Sequence, residues 1–292
     1  MKENLKVGCG TLALGLEYRV LARLLAYDLG VYHPDLVFYV LTDDPESFEG
    51  FSNVRAIKHE FSGVRACYHD KRHVVSEIFK DDVDICVFLD ADSRLVYPID
   101  FSDLIKDGFF LVATWAKNLS EKHGFKISEW DGRWSFNNPK KEQALFDRLT
   151  MKFGIRTSEV DFVKESLFAI NKNHGDYELF LKAWDYCATY STIRLFEFSE
   201  GSSIGISAKV AGGRVYSMSK TPVWYFKDIY TNVALKTEAQ RNINLLMTKL
   251  RHGIGKDCRS KSNVLVMSAL FVWRYIKVYV KNKRHLFKKP LY

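Results

Sequence analysis

The chain has 292 residues and a formal net charge of +8, and 47% of its residues are hydrophobic. This balance excludes a largely disordered chain, and the length predicts one large domain or two small ones around a sizeable core. No apolar run reaches the roughly 18 residues of a membrane-spanning helix, and Glu17 and Arg19 argue against a cleavable signal peptide.

The first half of the chain alternates between strand and helix patterns. Short apolar runs predict strands, and apolar residues that recur every three or four positions predict helices. Strands are expected at 5–9, 36–41, 53–57 and 85–89, and helices at 14–30 and 69–79. The run at 85–89 is entirely apolar, which is typical of a parallel-sheet strand covered on both faces. This alternation predicts an α/β fold with right-handed crossovers.

The second half of the chain is less regular. Further strands are expected at 109–114, within 159–171 and at 195–198, and helices at 177–187 and 202–210. Residues 117–139 are polar and aromatic, and this composition predicts loops over a site.

The positive charge is concentrated at the C-terminal end of the chain. Residues 251–292 contain eleven lysines and arginines and one acid, Asp257, whereas residues 1–250 carry a net charge of −2. A nucleic-acid-binding fold is expected to carry a basic face of its own. The sequence therefore predicts a nearly neutral globular body that does not bind nucleic acid, followed by a strongly basic tail.

The tail combines an apolar stretch with a basic, aromatic one. Residues 264–273 are apolar or small, and residues 274–284 interleave lysine and arginine with aromatic and aliphatic residues. A helix of this kind is too short and too charged to span a membrane, and it predicts association with an anionic membrane surface. The alternative is a C-terminal core helix with a solvated basic end.

The cysteines are odd in number and scattered, with no Cys-x-x-Cys pair. This pattern predicts neither a disulfide framework nor a zinc site, but reduced thiols in a cytosolic protein. The five positions are Cys9, Cys67, Cys86, Cys187 and Cys258.

Two acidic residues directly follow the apolar strand. Asp90 and Asp92 stand in the sequence Phe-Leu-Asp-Ala-Asp-Ser, where the strand becomes a loop. Ligands of open α/β sheets bind at the carboxyl ends of the strands, and Mg²⁺ and Mn²⁺ prefer carboxylates together with phosphate oxygens. The pair therefore predicts a metal site that neutralises a diphosphate leaving group. The alternative is a polar strand end in which Asp92 caps a turn.

This order of elements, closing on Leu-Asp-Ala-Asp, resembles the GT-A glycosyltransferases, and most of all those of family 8, which use nucleotide sugars and retain anomeric configuration. The resemblance spans about residues 4–257 and implies a GT-A fold, a Rossmann-like mixed sheet flanked by helices. It also implies that a basic residue on the helix before the Asp-x-Asp strand contacts the donor. Arg72 is favoured for this contact, because a guanidinium makes bidentate contacts better than an ammonium does. Lys71 is the other candidate. The alternative is a solvated basic helix face.

A late segment, His252-Gly253-Ile254-Gly255-Lys256, resembles the family's His…Gly…Lys segment. By this resemblance His252 completes the metal site with Asp90 and Asp92, and Lys256 contacts the diphosphate. The lysine follows the glycine directly in this chain, and the family's usual Pro-Trp is absent. A structural histidine is the alternative.

Two glutamates are candidates for the catalytic carboxylate. Glu165 lies where the family places its acceptor-side strand, and Glu200 opens a small-residue helix where relatives present an acidic or amide residue beneath the donor sugar. Either one can stabilise an oxocarbenium-like transition state or activate the acceptor hydroxyl. For each, helix capping or an exposed charge is the alternative.

Nucleotide recognition is expected at the ends of the first two strands. Gly8, Gly10 and Thr11 would allow close approach of the backbone, and Asp43 or Asp44 would accept hydrogen bonds from the ribose or base. Aromatic residues of the irregular region are candidates for stacking on a sugar ring: Trp115, Trp130, Trp134 and Phe136.

The segment Val7-Gly8-Cys9-Gly10-Thr11 also resembles the glycine loop of S-adenosylmethionine-dependent methyltransferases, with Asp43 as the acid that ends the next strand. Leu12 replaces that family's further glycine. A methyltransferase therefore stays an alternative, as does a non-catalytic GT-A-like module that binds an anionic surface through its tail.

Together these features predict a GT-A domain over residues 1–250, with a donor half at about 1–115 and an acceptor half at about 116–250, and a membrane-associating tail at 251–292. The expected reaction moves galactose or glucose from a UDP-sugar to a saccharide or lipid-linked acceptor, with Mn²⁺ or Mg²⁺ as cofactor. The resemblance and the tail imply synthesis of lipopolysaccharide or capsule at the cytoplasmic face of the membrane. The oligomeric state is left open.

Overall fold

The computed structural model describes residues 5–64, 66–95, 97–104, 110–113, 116–128, 138–196, 199–218 and 223–225. The strands are β1 (Val7–Ala13), β2 (Phe38–Thr42), β3 (Val54–Lys58), β4 (Ile85–Leu89), β5 (Ser93–Leu95), β6 (Leu111–Ala113), β7 (Ala116–Asn118), β8 (Asp161–Val163), β9 (Leu167–Asn171), β10 (Val215–Ser217) and β11 (Val223–Tyr225). The helices are α1 (Leu16–Tyr32), α2 (Lys71–Ile78), α3 (Leu119–Ser128), α4 (Pro139–Lys152), α5 (Tyr177–Ile193) and α6 (Glu200–Val210).

Seven strands form the central sheet, in the order β10-β6-β9-β4-β1-β2-β3. All neighbours pair in parallel except β9, which is antiparallel to both β4 and β6. Two short pairs, β5 with β11 and β7 with β8, lie outside this sheet. The predicted fold class, a mixed α/β sheet flanked by helices, is confirmed.

The sheet is covered on both faces. Alternate residues of β4 point to opposite faces, so Val87 and Leu89 belong to the core beneath α1, while Cys86 and Phe88 belong to the core beneath α2, α5 and α6. Every residue of β4 is buried. This two-sided burial explains why the strand reads as an uninterrupted apolar run.

Two glycines in β1 set the distance between the sheet and α2. A Cβ at Gly8 would lie 2.8 Å from Cγ2 of Ile78, and one at Gly10 would lie 2.6 Å from Cγ1 of Val74. Only glycine therefore lets α2, which begins with Lys71, approach the sheet this closely.

The second half differs from prediction in several places, and β10 and β11 were not expected. The segment 117–139, predicted to be loops, contains the end of β7 and the whole of α3. The prediction did not include α4, which follows that segment directly. The strand expected at 195–198 does not form at residues 195 and 196, because Leu195 has a left-handed backbone (φ +63°) that turns the chain at the end of α5.

No helix of the described ranges is long and apolar enough to cross a membrane. The predicted tail, 251–292, and its proposed amphipathic helix lie outside the described residues.

Candidate functional site

A cavity of about 510 Å³ opens at the carboxyl ends of β1 and β4. These two strands are neighbours near the centre of the sheet. Strands β2 and β3 lie beyond β1, and β9, β6 and β10 lie beyond β4. Open α/β sheets bind ligands at such a switch point, in the crevice outside the strand ends. The lining comes from the β1–α1 turn, from the segment before α2 and from the end of β4: Leu12, Leu14, Gly15, Tyr18, Phe61, Ala66, Cys67, Tyr68, Lys71, Asp90, Ala91 and Asp92.

The end of β4 places Asp90 and Asp92 at the cavity wall. The amide of Asp90 donates to the carbonyl of Ser166 at 2.9 Å, and the amide of Ser93 donates to the carbonyl of Asp90 at 2.9 Å. These two hydrogen bonds hold the turn between β4 and β5. Both aspartate side chains are partly accessible and border the same space.

Lys71 is the cation at the centre of the site. Its buried Nζ lies 2.7 Å from Oδ1 of Asp90 and 3.3 Å from Oε1 of Glu200, and it donates to the carbonyl of Glu165 at 3.4 Å. Burial favours the neutral amine, but the carboxylates of Asp90, Glu200 and Glu165 outweigh it and raise the pKa of Lys71. The side chain therefore stays charged and ties α2, the end of β4 and the start of α6 together.

Burial raises the pKa of both carboxyl groups that contact Lys71. The pKa of Asp90 rises to about 6, because burial and the charges of Asp92 and Glu165 exceed the opposing effect of Lys71. The pKa of Glu200 is also raised, mainly by burial, with Lys71 again opposing the shift. One ammonium thus faces more carboxylates than it can neutralise. The site favours the uptake of protons or of a further cation.

Glycine brings the two candidate glutamates to this cluster. Glu200 is the first residue of α6, and α6 packs so closely on β8 that a Cβ at Gly201 would collide with the carbonyl oxygen of Val163 and lie 2.7 Å from Oε2 of Glu165. The structure therefore places Glu165 and Glu200 together beside Lys71.

Arg72, the residue favoured from the sequence for donor contact, does not line the cavity. Its Nε donates to Asp185 at 2.9 Å and its Nη1 donates to the carbonyl of His69 at 2.7 Å. Lys71, its rival, lines the cavity instead. Of the two neighbours, Lys71 is therefore the one that borders the cavity, and contact of either with a donor stays a prediction.

The glycines and the threonine that were expected to approach a nucleotide do not line this cavity. Gly8, Gly10 and Thr11 lie inside β1 and are buried, so the two glycines serve the packing of α2. Asp43 follows β2 and accepts hydrogen bonds from the amide of Gly15 at 3.1 Å and from Arg19 at 2.7 Å. Burial opposes ionisation of Asp43, but these hydrogen bonds outweigh it and lower its pKa. Asp43 therefore holds the β1–α1 turn at the rim of the cavity.

Among the described residues, no group of three or more histidine, cysteine, aspartate or glutamate side chains is arranged to hold a metal. Asp90 and Asp92 are the two predicted ligands that the structure describes, and both supply the hard oxygen donors that Mn²⁺ and Mg²⁺ prefer. Several other predicted site residues lie outside the described ranges: Trp115, Trp130, Trp134, Phe136, His252 and Lys256.

The sequence did not predict that the segment before α2 lines the cavity. Phe61, Cys67 and Tyr68 line the cavity, and the ring centroid of Tyr68 lies 5.9 Å from Nζ of Lys71. The segment has neither helical nor strand periodicity, so its only signal was its position directly before the helix with the basic residues.

No protein-family model matches the chain, and no curated protein matches it. Among solved structures, the chain is similar to the galactosyltransferase LgtC, whose crystal structure holds donor and acceptor sugar analogues. The match has a TM-score of 0.41 and 15% sequence identity, and it covers 72% of each chain.

Proposed function

We propose that this chain is a metal-dependent glycosyltransferase of the GT-A type, which transfers a hexose from a UDP-sugar to a saccharide or lipid-linked acceptor. The observation that carries the proposal is the cavity at the ends of β1 and β4, bordered by Asp90, Asp92 and Lys71. This is the place where open α/β sheets bind nucleotides. Its volume of about 510 Å³ lies within the usual range of small-molecule sites.

The charges of the site support a divalent cation. Lys71 is the ammonium that faces Asp90, Glu165 and Glu200, with Asp92 beside them, so the described cluster keeps an excess of negative charge. Asp90 and Asp92 would hold Mn²⁺ or Mg²⁺, and His252 is the third ligand that the family resemblance implies. When bound, the metal supplies Lewis-acid stabilisation of the departing diphosphate.

The side chains of the chain itself have separate tasks in this proposal. Lys71 fixes the orientation of Asp90 through their 2.7 Å contact. Glu200 has a raised pKa, so it can exchange a proton with an acceptor hydroxyl near neutral pH. Glu165 is the alternative carboxylate at the reacting centre, and Lys256 is the proposed contact of the diphosphate.

The finer features of the proposal come from the family resemblance and from the tail. They are galactose or glucose as the transferred sugar, retention of configuration, and synthesis of a surface glycan such as lipopolysaccharide or capsule. The tail, with eleven basic residues in 251–292, supports a peripheral position on the anionic cytoplasmic face of the membrane.

A methyltransferase is not favoured, because its glycine loop would have to follow the first strand, whereas Gly8 and Gly10 lie within β1. The test is hydrolysis of a panel of UDP-sugars with and without Mn²⁺. The proposal expects Mn²⁺-dependent release of UDP that is lost in Asp90→Asn and Asp92→Asn. Unchanged hydrolysis in both variants would exclude the metal assignment.

A further inference from the structure

A second cavity, of about 320 Å³, lies between α4 and the turn that follows α5. Three cationic side chains line it, Lys141 and Arg148 on α4 and Arg194 at the end of α5, together with Ala144, Leu145 and Phe196. Residues 141, 145 and 148 share one face of α4, because they are spaced at four and three positions. Among the described residues, the lining contains no acidic side chain.

The cations of this cavity are not neutralised by the described part of the chain. Within the described residues, none of the salt bridges involves Lys141, Arg148 or Arg194. The guanidinium of Arg194 lies 3.5 Å from the ring centroid of Tyr190 and donates to the carbonyl of Tyr190 at 3.3 Å. Stacking and this hydrogen bond fix the orientation of the guanidinium group of Arg194. A guanidinium group can donate two parallel hydrogen bonds to a phosphate or a carboxylate.

A hydrogen bond joins α4, which lines this cavity, to the residue that precedes α6. Glu142, the neighbour of Lys141, is buried and accepts a hydrogen bond from the hydroxyl of Ser199 at 2.7 Å. Ser199 precedes Glu200, and Phe196 stands four residues before Glu200. The basic cavity and the carboxylate beside Lys71 are therefore built on the same short segment of chain.

We propose that this cavity binds the phosphate or carboxylate group of an acidic saccharide, which is the acceptor of the transfer. The guanidinium groups and Lys141 recognise the charge, and Phe196 with Leu145 offers an apolar surface to the C–H face of a sugar ring. The assignment of this saccharide as the acceptor rests on the proposed transferase function, whereas the binding site itself does not.

The test is isothermal titration calorimetry of the full-length chain with glucose, glucose 6-phosphate, glucuronate and inorganic phosphate. We expect binding of at least one of the two acidic sugars and no binding of glucose, and the acidic sugar that binds identifies the group recognised. Arg148→Gln and Arg194→Gln should each weaken that binding about tenfold. Lys152→Gln, a matched loss of charge at the exposed end of α4 outside the cavity, should leave it unchanged.

The proposal is overturned by equal binding of glucose, by equal weakening in Lys152→Gln, or by binding of inorganic phosphate as tight as that of glucose 6-phosphate. Titration of the unmodified chain with UDP and Mn²⁺ separates this site from the transferase function. If UDP with Mn²⁺ fails to bind while the acidic sugar still binds through Arg148, the transferase function is rejected and the cavity assignment stands. If UDP with Mn²⁺ binds and neither acidic sugar does, the cavity assignment is rejected and the transferase function stands.

Discussion

Lys71 and Arg72 are neighbours in the sequence, but successive residues of a helix point about 100° apart. Lys71 reaches Asp90 and Glu200, whereas Arg72 reaches Asp185 and the carbonyl of His69. The resemblance to family 8 implied a basic residue at this place. It could not choose between the two, because the direction of the first turn of α2 depends on how that helix packs on the glycines of β1.

Separate substitutions of Lys71 and Arg72 should have unequal effects on the turnover of a UDP-sugar. Lys71→Met leaves Asp90 and Glu200 without their shared cation, so we expect about a hundredfold loss of UDP-sugar turnover. Arg72→Gln should keep turnover within about threefold and lower the free energy of unfolding by about 1 kcal/mol, since it removes hydrogen bonds to Asp185 and His69. Turnover assays and urea denaturation measure both. The reverse order of effects on turnover would restore Arg72 as the donor contact.

The raised pKa of Asp90 predicts how metal binding depends on pH. The pKa is about 6, so below this value the carboxyl holds a proton that an incoming metal must displace. The affinity for Mn²⁺ should therefore fall by up to about tenfold for each pH unit below 6, and it should level off above pH 7. Titration calorimetry between pH 5 and 8 measures this profile.

Glu165→Gln gives a control for that profile. The charge of Glu165 contributes to the raised pKa of Asp90, so its removal should move the break in the Mn²⁺ affinity to lower pH. A profile that is flat from pH 5 to 7 in the unmodified chain would contradict the assignment of Asp90 as a ligand.

At the level of elements, the strand at 85–89 was predicted with its observed bounds, because five apolar residues bounded by acids have the length of a strand and are too few for a helix. The reversed direction of β9 could not be predicted, since a buried strand has the same composition in either direction. The prediction of a strand at 195–198 was wrong for residues 195 and 196. Leu195 has a left-handed backbone, which the apolar composition of this segment does not indicate.

The contact of α6 with β8 is the element on which both candidate glutamates depend. Gly201→Ala would drive a Cβ into the carbonyl of Val163, so we expect a loss of about 3 kcal/mol in the free energy of unfolding, together with loss of turnover. Gly124→Ala in α3 is the matched control, because no atom lies within 4 Å of its Cβ position. That change should be neutral or stabilise the chain by up to about 1 kcal/mol.

Urea denaturation of both variants measures the difference. A Gly201→Ala variant as stable and active as the unmodified chain would show that α6 can move away from β8 without cost. The close packing would then not explain why Glu165 and Glu200 lie together.

Over the whole molecule, the charge is divided between a nearly neutral body and a tail of net charge +10. Composition made this division visible from the sequence alone, because counting charges requires no structure. The place of the cavity at the ends of β1 and β4 depends on the order of strands across the sheet, which local patterns do not contain. Asp90 and Asp92 could nevertheless be placed at a strand end, since they come just after an entirely apolar run of strand length.

Truncation after Lys256 should release the chain from anionic vesicles. The segment removed carries most of the basic residues of the tail, and each lysine or arginine near an anionic surface contributes on the order of 1 kcal/mol. Co-sedimentation with vesicles that contain phosphatidylserine measures the effect, and zwitterionic vesicles are the control. Continued sedimentation of the truncated chain with anionic vesicles would contradict the role given to the tail.

The central claim is that the cavity at Asp90 and Asp92 binds a nucleoside diphosphate together with a divalent metal. Calorimetric titration of UDP, with and without Mn²⁺, tests this claim most directly, in the unmodified chain and in Asp90→Asn. We expect UDP to bind the unmodified chain only when Mn²⁺ is present, and we expect Asp90→Asn to abolish this binding. UDP binding that is independent of Mn²⁺ and unchanged in Asp90→Asn would contradict it, as would binding of S-adenosylhomocysteine in place of UDP.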